Sequence, residues 1–241
     1  MRKIELNDAP EELTDEVVRN LTEEFKQDNT KRVWNKPYIK EQLLKMNYSK
    51  CAYSEVKLQQ NSTYMEVEHF YPKSKYPDKV VYWGNLLPSC KTCNIHKKDT
   101  DPSAIELIFP LVDNPRKHLA FLRGICIGLD KKGRNSIACY DLNNEQFVSP
   151  RFDIQNDIEN NLKWMAEDLR DSYFDTEEKR KRFLSKLCSV MQMGQPSAVY
   201  SLCMANVILG NSDFLFIKKY LEDRQEWSTE LQGLEMGLST P

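Results

Sequence analysis

Cysteines at metal-ligand spacing stand near both ends of one short segment of this chain, residues 51 to 97. Cys90 and Cys93 form a Cys-x-x-Cys pair, and two thiolates at this spacing can hold one Zn²⁺ ion. An earlier stretch, "KCAYSE", contains Cys51 but has Ser54 in the second ligand position, and a serine hydroxyl is a poor zinc ligand. Taken alone, Cys51 is either a buried core thiol or one member of a metal site.

Polar side chains suited to acid–base and metal chemistry lie between and just after these cysteines. Glu68 stands beside His69, and Asn85 precedes the Cys-x-x-Cys pair by five residues. Asn94 follows that pair directly, and Lys97 comes three residues later. Each residue alone has an ordinary structural explanation, such as a turn asparagine or a surface lysine. Their joint spacing is much harder to obtain by chance.

This pattern resembles the HNH endonuclease family. The family pattern runs Cys-x-x-Cys, Asp/Glu-His followed closely by Pro, Asn-Leu, and then Cys-x-x-Cys-His/Asn-x-x-Lys. The matching elements lie within roughly residues 48 to 100: Cys51 and Ser54, Glu68-His69 with Pro72, Asn85-Leu86, and Cys90, Cys93, Asn94 and Lys97. Ser54 is the one departure from the pattern.

The resemblance implies a ββα-metal core, in which a β-hairpin and a helix enclose one catalytic divalent ion. It implies that His69 is the general base and that Glu68 and Asn94 hold Mg²⁺ or Mn²⁺ through oxygen atoms. Asn85 would orient the loop that carries the histidine. Lys97 would either meet a phosphate oxygen or be an exposed helix lysine. Because adjacent strand residues point to opposite faces, Glu68 and His69 require a bent or bulged strand to reach one ion.

A structural zinc ion is the second metal that the resemblance implies. Family members with a complete clip hold zinc with four thiolates, whereas this chain keeps Cys51, Cys90 and Cys93. Zinc could be bound by these three with His96 or water, it could be bound weakly with Ser54 in the fourth place, or packing could replace it. Binding of the catalytic ion does not depend on which of these alternatives is correct.

The net charge of the chain and its local distribution bear on how the protein binds nucleic acid. The net charge is −2 and the pI is near 6.0, without the basic excess of a protein that binds nucleic acid unaided. The segment from His69 to Lys98 is nevertheless locally basic, with six lysines against one acid, Asp78. Its candidate nucleic-acid contacts are Lys73, Lys75, Lys91 and Lys98.

A wider stretch, about residues 40 to 155, is similar to the HNH nuclease subunit of Septu-type anti-phage systems, including those encoded beside retrons. The similarity rests on "VEHFYPKSKYP", "DNPRKHLAF", "GICIGLD" and "CYDLNNEQFVSPR". It implies a partner ATPase of the ABC/SMC-like kind and, in some systems, a retron reverse transcriptase or its DNA. The helical flanks could meet the ATPase or pack onto the nuclease core.

The expected function is therefore metal-dependent hydrolysis of phosphodiester bonds in anti-phage defence. DNA is the favoured target, and RNA such as tRNA stays open because the chemistry neither requires nor excludes a 2′-hydroxyl. A non-catalytic zinc-ribbon-like adaptor is the alternative. His69 and its oxygen-bearing neighbours favour the nuclease, since an adaptor has no need for them.

The elements around this segment predict an α+β protein with three regions. Residues 1–47 are expected to be helical, with Asp8 and Glu11 as a capping box, and residues 48–100 form the nuclease core. Residues 101–241 are expected to be mixed and then helical. Their mixed part could include a hairpin over 121–142 that turns at Gly133, and helices follow after about residue 155.

The expected cellular compartment follows from the lack of membrane-spanning and signal segments and from the cysteine content. No run of eighteen apolar residues predicts a membrane span, and the start "MRKIELNDAPEELTDE" lacks the apolar core of a secretory signal. Seven cysteines without a signal favour free thiols or metal ligands over disulfides. We therefore expect a cytoplasmic protein that has no contact with a membrane.

Overall fold

The chain is an α+β protein, as expected, with more helix than strand. A computed structural model describes residues 1–60, 64–171 and 176–241. Within these ranges two small antiparallel sheets, each of two strands, lie among nine α-helices. None of the helices in these ranges is both long and apolar enough to cross a membrane.

The first of two compact units comprises Met1–Leu119 and Ile127–Asn143. It contains two N-terminal helices, one sheet and two further helices. These elements are α1 (Asp15–Gln27), α2 (Pro37–Met46), β1 (Met65–His69), β2 (Leu86–Cys90), α3 (Lys91–Lys97) and α4 (Lys131–Cys139). Short 3₁₀ turns occupy Pro77–Lys79, Trp83–Asn85 and Pro115–Lys117.

Helix α1 begins later than its sequence predicted. Its N-cap is Thr14, whose hydroxyl accepts a hydrogen bond from the backbone N–H of Val17 at 3.3 Å. The capping box expected at Asp8 is therefore wrong. Thr14 has the extended backbone of an N-cap, and the acidic first turn that follows it suits the positive end of the helix dipole. Leu21 and Phe25, on one face, are buried.

The second unit comprises Ala120–Cys126 and Asn144–Pro241 and is mainly helical. Its helices are α5 (Glu145–Arg170), α6 (Glu177–Gln192), α7 (Ser201–Gly210), α8 (Ser212–Asp223) and α9 (Thr229–Ser239). Helix α5 packs against α6, α7 and α8.

Helix α5 starts about ten residues before the position that the sequence predicted. Its N-cap is Asn144, whose side chain accepts a hydrogen bond from the N–H of Gln146 at 3.1 Å. Pro150 lies inside the helix. A proline inside a helix is unusual, so the sequence around Pro150 does not favour a helix that starts at Glu145.

A hairpin follows the first sheet, but its position differs from the prediction. Strands β3 (Leu119–Leu122) and β4 (Ile125–Gly128) are joined by Arg123 and Gly124, both with positive φ (49° and 75°). This pair of dihedral signs is that of a type I′ turn, which matches the twist of a hairpin. The turn predicted at Gly133 is wrong, because Gly133 lies in α4, where its N–H donates to the N-cap Asp130 at 2.7 Å.

Replacing Gly124 with alanine is expected to lower the free energy of unfolding by more than about 1 kcal/mol. Besides its positive φ, an added Cβ would lie 2.6 Å from the carbonyl oxygen of Val148 and 2.8 Å from the backbone nitrogen of Phe152. Gly210→Ala is the matched control, because a Cβ there meets no described atom within 4 Å. Denaturant unfolding measures both variants, and an equal effect of the two would contradict the prediction.

Candidate functional site

Strand β1, which carries Glu68 and His69, pairs regularly with β2. The pairing runs residue for residue from Met65 opposite Cys90 to His69 opposite Leu86. The bulge expected from the sequence at this point is not present in Met65–His69. The side chains of Glu68 and His69 therefore leave the strand on opposite sides, and Glu66 shares the side of Glu68.

Lys97 holds Glu68 in the interior. Its ammonium lies 2.7 Å from Oε1 of Glu68 and donates a hydrogen bond to the carbonyl oxygen of His69 at 2.8 Å. Both side chains are buried, at 0% and 3% exposure. Burial raises the pKa of Glu68 to about 7, and the nearby ammonium opposes that rise. The expectation that Lys97 meets phosphate, or lies exposed, is corrected, because this face of α3 packs on the sheet.

The imidazole of His69 is buried and held by one ring nitrogen. Nε2 lies 2.8 Å from the carbonyl oxygen of Val80, and since a carbonyl can only accept, Nε2 carries the hydrogen. The lone pair is therefore on Nδ1. Burial lowers the pKa of His69 to about 3, so the ring is neutral near pH 7. A neutral ring with its lone pair on Nδ1 can take a proton from water.

Asn85 joins the two ends of the loop between β1 and β2. Its Oδ1 accepts from the N–H of Tyr71 at 2.8 Å, and its Nδ2 donates to the carbonyls of Tyr71 (3.1 Å) and Lys79 (3.0 Å). Val80, the partner of His69, directly follows Lys79. The buried amide thus holds the loop that carries Val80, the hydrogen-bond partner of His69.

Asn94 is held by Glu66, a residue that the sequence pattern did not single out. The Nδ2 of Asn94 donates to Oε2 of Glu66 at 2.6 Å, which leaves the amide oxygen Oδ1 as an acceptor or metal donor. The alternation in "EVEH" could have identified Glu66, because residues two apart on a strand share a face. Glu66 and Glu68 therefore lie together on the side of β1 that α3 covers.

These groups border one cavity of about 640 Å³. Glu66, Glu68, His69 and Asn94 all contribute to its lining, although Glu68 and His69 leave β1 on opposite sides. The segment between α1 and α2 lines it as well, and no pattern in the sequence indicated that. Within the described ranges, this cavity is where the predicted base and the predicted metal ligands meet.

The four lysines predicted to contact nucleic acid divide into two groups. Lys73 and Lys98 line the cavity. Lys75 lies outside that lining and pairs with Asp101 at 3.5 Å, and Lys91 is exposed at the start of α3. The structure therefore brings two of the four to the site.

Cys51, Cys90 and Cys93 form a buried cluster that could hold a metal ion such as zinc. Their sulfur atoms all lie within 4.8 Å of one another. The turn that carries Cys51 is attached to β2 by a hydrogen bond from the N–H of Ala52 to the carbonyl of Pro88 at 2.8 Å. Burial opposes ionisation of Cys51, but hydrogen bonds with Cys90, Cys93 and Ser54 outweigh it and hold the pKa of this thiol below its usual value. A thiolate is the form that binds zinc.

The fourth position of the cluster belongs to Ser54. Its Oγ lies 3.6 Å from the sulfur of Cys90, and the side chain is buried. His96, the other candidate for this position, is about half exposed, and its Nε2 lies 3.2 Å from a carboxylate oxygen of Asp141. His96 is thus excluded as a ligand in this arrangement, because it projects from the outer side of α3.

Comparison with known proteins finds two relatives, and no family model matches the chain. The chain is 38% identical over 230 residues to the Septu protein PtuB of Bacillus thuringiensis, a match that covers 94% of this chain and 89% of that protein. It is 32% identical over 154 residues to the Septu protein PtuB of Bacillus mycoides, a match that covers 50% of this chain and 52% of that protein. The first similarity extends through both compact units.

Proposed function

The chain belongs to the Septu PtuB family, and we propose that it is the metal-dependent HNH endonuclease of an anti-phage defence complex. One observation carries the nuclease part of this proposal. A neutral, buried imidazole with its lone pair on Nδ1 shares a cavity with the oxygen donors of Glu66, Glu68 and Asn94. The chain order β1, β2, α3, with β1 and α3 both lining that cavity, supports a ββα-metal core.

His69 is the general base in this proposal. The Nε2–H donated to Val80 keeps the ring in one tautomer, so Nδ1 is the atom that accepts the proton of the attacking water. Asn85 holds the loop that bears Val80, and the edge of Trp34 lies against the ring, with centroids 4.9 Å apart. The chain thus positions its base through contacts on two sides.

Glu68 and Asn94 would hold Mg²⁺ or Mn²⁺, and the donor set fits, because carboxylate and amide oxygens suit hard divalent ions. When bound, the ion supplies a Lewis acid for the charge that develops on the phosphate and leaving oxygens. Lys97 contacts Oε1 of Glu68, and Glu66 holds the amide nitrogen of Asn94 so that its oxygen is directed elsewhere. Lys97 and Glu66 are therefore positioning residues.

Zinc in the cysteine cluster would have a structural role, since it would join the Cys51 turn to the start of α3. Ser54→Cys is expected to complete a four-thiolate site and to slow the release of zinc to a chelator, because Oγ already lies 3.6 Å from the sulfur of Cys90. Elemental analysis and the rate of release measure the effect. Cys126→Ser, at a buried thiol outside the cluster, is the control. Release as fast from Ser54→Cys as from the unaltered chain would contradict this arrangement.

The defence role follows from the family, and the partner is proposed to be an ABC/SMC-like ATPase. The near-neutral charge supports a requirement for a partner, because weak phosphate attraction alone binds nucleic acid poorly. DNA is the favoured target and RNA such as tRNA is the second. The association with a retron stays a prediction from the sequence.

Nuclease activity of the full-length chain, purified together with the ATPase encoded beside it, is the direct test. We expect cleavage of DNA, or of tRNA, that requires Mg²⁺ or Mn²⁺ and stops with a chelator. Intact substrates under every condition would overturn the nuclease and would favour the zinc-ribbon-like adaptor, for which the cysteine cluster alone would suffice.

A further inference from the structure

The cavity that contains His69 has a second wall, built from outside the segment that resembles HNH nucleases. This wall comes from the connection between α1 and α2 and from the first turn of α2. We call it the α1–α2 wall, and it consists of Asn29, Thr30, Arg32, Trp34, Asn35 and Lys40. Glu66 and Glu68 of β1 line the same cavity.

The wall contributes two cations to the lining of the cavity. Arg32 and Lys40 line the cavity, and within the described ranges neither forms an ion pair with Asp or Glu. Two nearby lysines outside the cavity are paired: Lys26 lies 2.7 Å from Asp78, and Lys31 lies 3.0 Å from Glu24. Positive charge is therefore available where a substrate would enter.

Trp34 is the residue of this wall that contacts the proposed catalytic base, His69. Its ring meets His69 edge-on, with an interplanar angle of 87°, and meets Phe25 of α1 edge-on at 5.9 Å. The ammonium of Lys73 lies 4.8 Å from the centre of the same ring. The indole therefore packs against Phe25, His69 and Lys73, and it places the connection that also carries Arg32 beside the imidazole.

We propose that the α1–α2 wall binds the nucleic-acid strand, with Arg32 and Lys40 contacting phosphates that flank the one being cleaved. The ligand is a phosphodiester strand, and the proposal rests on the proposed nuclease function. A guanidinium and an ammonium are the usual partners of phosphate oxygens, and such contacts set the register of the strand. The wall would thereby place one phosphate at His69.

The test is equilibrium binding of short labelled DNA and RNA strands to the full-length chain, purified together with the ATPase encoded beside it, in chelator so that no cleavage occurs. The double variant Arg32→Ala/Lys40→Ala is compared with Arg19→Ala/Lys45→Ala, which removes the same charge from exposed positions of α1 and α2 outside the cavity. We expect the first variant to bind about tenfold more weakly and the slope of log Kd against log salt to fall by about 1.4, for two lost single-strand contacts. The control should bind like the unaltered chain.

Unaltered binding by Arg32→Ala/Lys40→Ala, or an equal loss in the control, would overturn the wall as a binding site. The binding result is independent of cleavage. A chain that loses binding through the wall but never cleaves would refute the nuclease and keep the wall. Cleavage by the wall variant with an unchanged KM would refute the wall as a binding site and would support the nuclease.

Discussion

Replacing His69 with alanine is expected to lower the rate of phosphodiester cleavage by about 10²–10⁴-fold, the usual contribution of a positioned general base. The physical reason is the loss of Nδ1, the ring nitrogen that carries the lone pair while Nε2 donates to Val80. Cleavage is measured with the proposed ATPase partner present, under the metal conditions that support the unaltered chain.

Because His69 is buried, its removal can also disturb packing, so two further variants belong to the experiment. His69→Gln keeps an N–H donor for the Val80 carbonyl but has no basic nitrogen, and it should be folded and equally inactive. His96→Ala removes an exposed imidazole that pairs with Asp141 outside the cavity, and it should cleave normally. Undiminished cleavage by a folded His69→Ala chain would refute the mechanism.

Lys97→Met is expected to lower the free energy of unfolding by about 3–5 kcal/mol, the cost of breaking a buried ion pair. The change leaves Glu68 without its cation and the carbonyl of His69 without its donor, in a region where both side chains are buried. Lys91→Met, an exposed lysine of the same helix, is the control and should unfold like the unaltered chain. Denaturant unfolding of the metal-free chain measures all of these variants.

The double variant Lys97→Met/Glu68→Gln separates this ion pair from simple loss of packing. Once the carboxylate is neutral, the missing cation matters less, so the double variant should be more stable than the sum of the two single changes predicts. Strict additivity would show that the pair does not interact.

The effect of Lys97→Met should also depend on pH. Burial raises the pKa of Glu68 to about 7, above the usual 4.5, so the folded chain binds this proton more tightly than the unfolded chain. The tighter binding of this proton by the folded chain therefore stabilises the fold fully below pH 4.5, and this stabilisation is lost as the pH rises towards 7. Without Lys97 the pKa of Glu68 rises further, so the loss continues above pH 7. The difference in the free energy of unfolding between Lys97→Met and the unaltered chain should therefore widen above pH 7.

Much of the site could be predicted because its residues are close in the chain. The Cys-x-x-Cys spacing predicted that Cys90 and Cys93 would share a site, and a strand end followed at once by a helix brings them together. The α+β fold class could be predicted in the same way, because helical and strand-like patterns are local in the sequence. The helix starts at Asp15 and Glu145 were missed, because capping residues and a proline each permit more than one boundary.

The sequence by itself determined which chemistry the segment from 51 to 97 can offer: thiols for zinc, an imidazole, and oxygen donors beside it. Only the tertiary structure decided that Lys97 turns inward to Glu68 and to a carbonyl 28 residues away, while His96 beside it faces outward. Only the tertiary structure, too, decided that Glu66 accepts a hydrogen bond from Asn94 and that the α1–α2 wall lines the same cavity as His69. Spacing along the chain constrains only near neighbours, whereas contacts between distant residues depend on how the helices pack against the sheet.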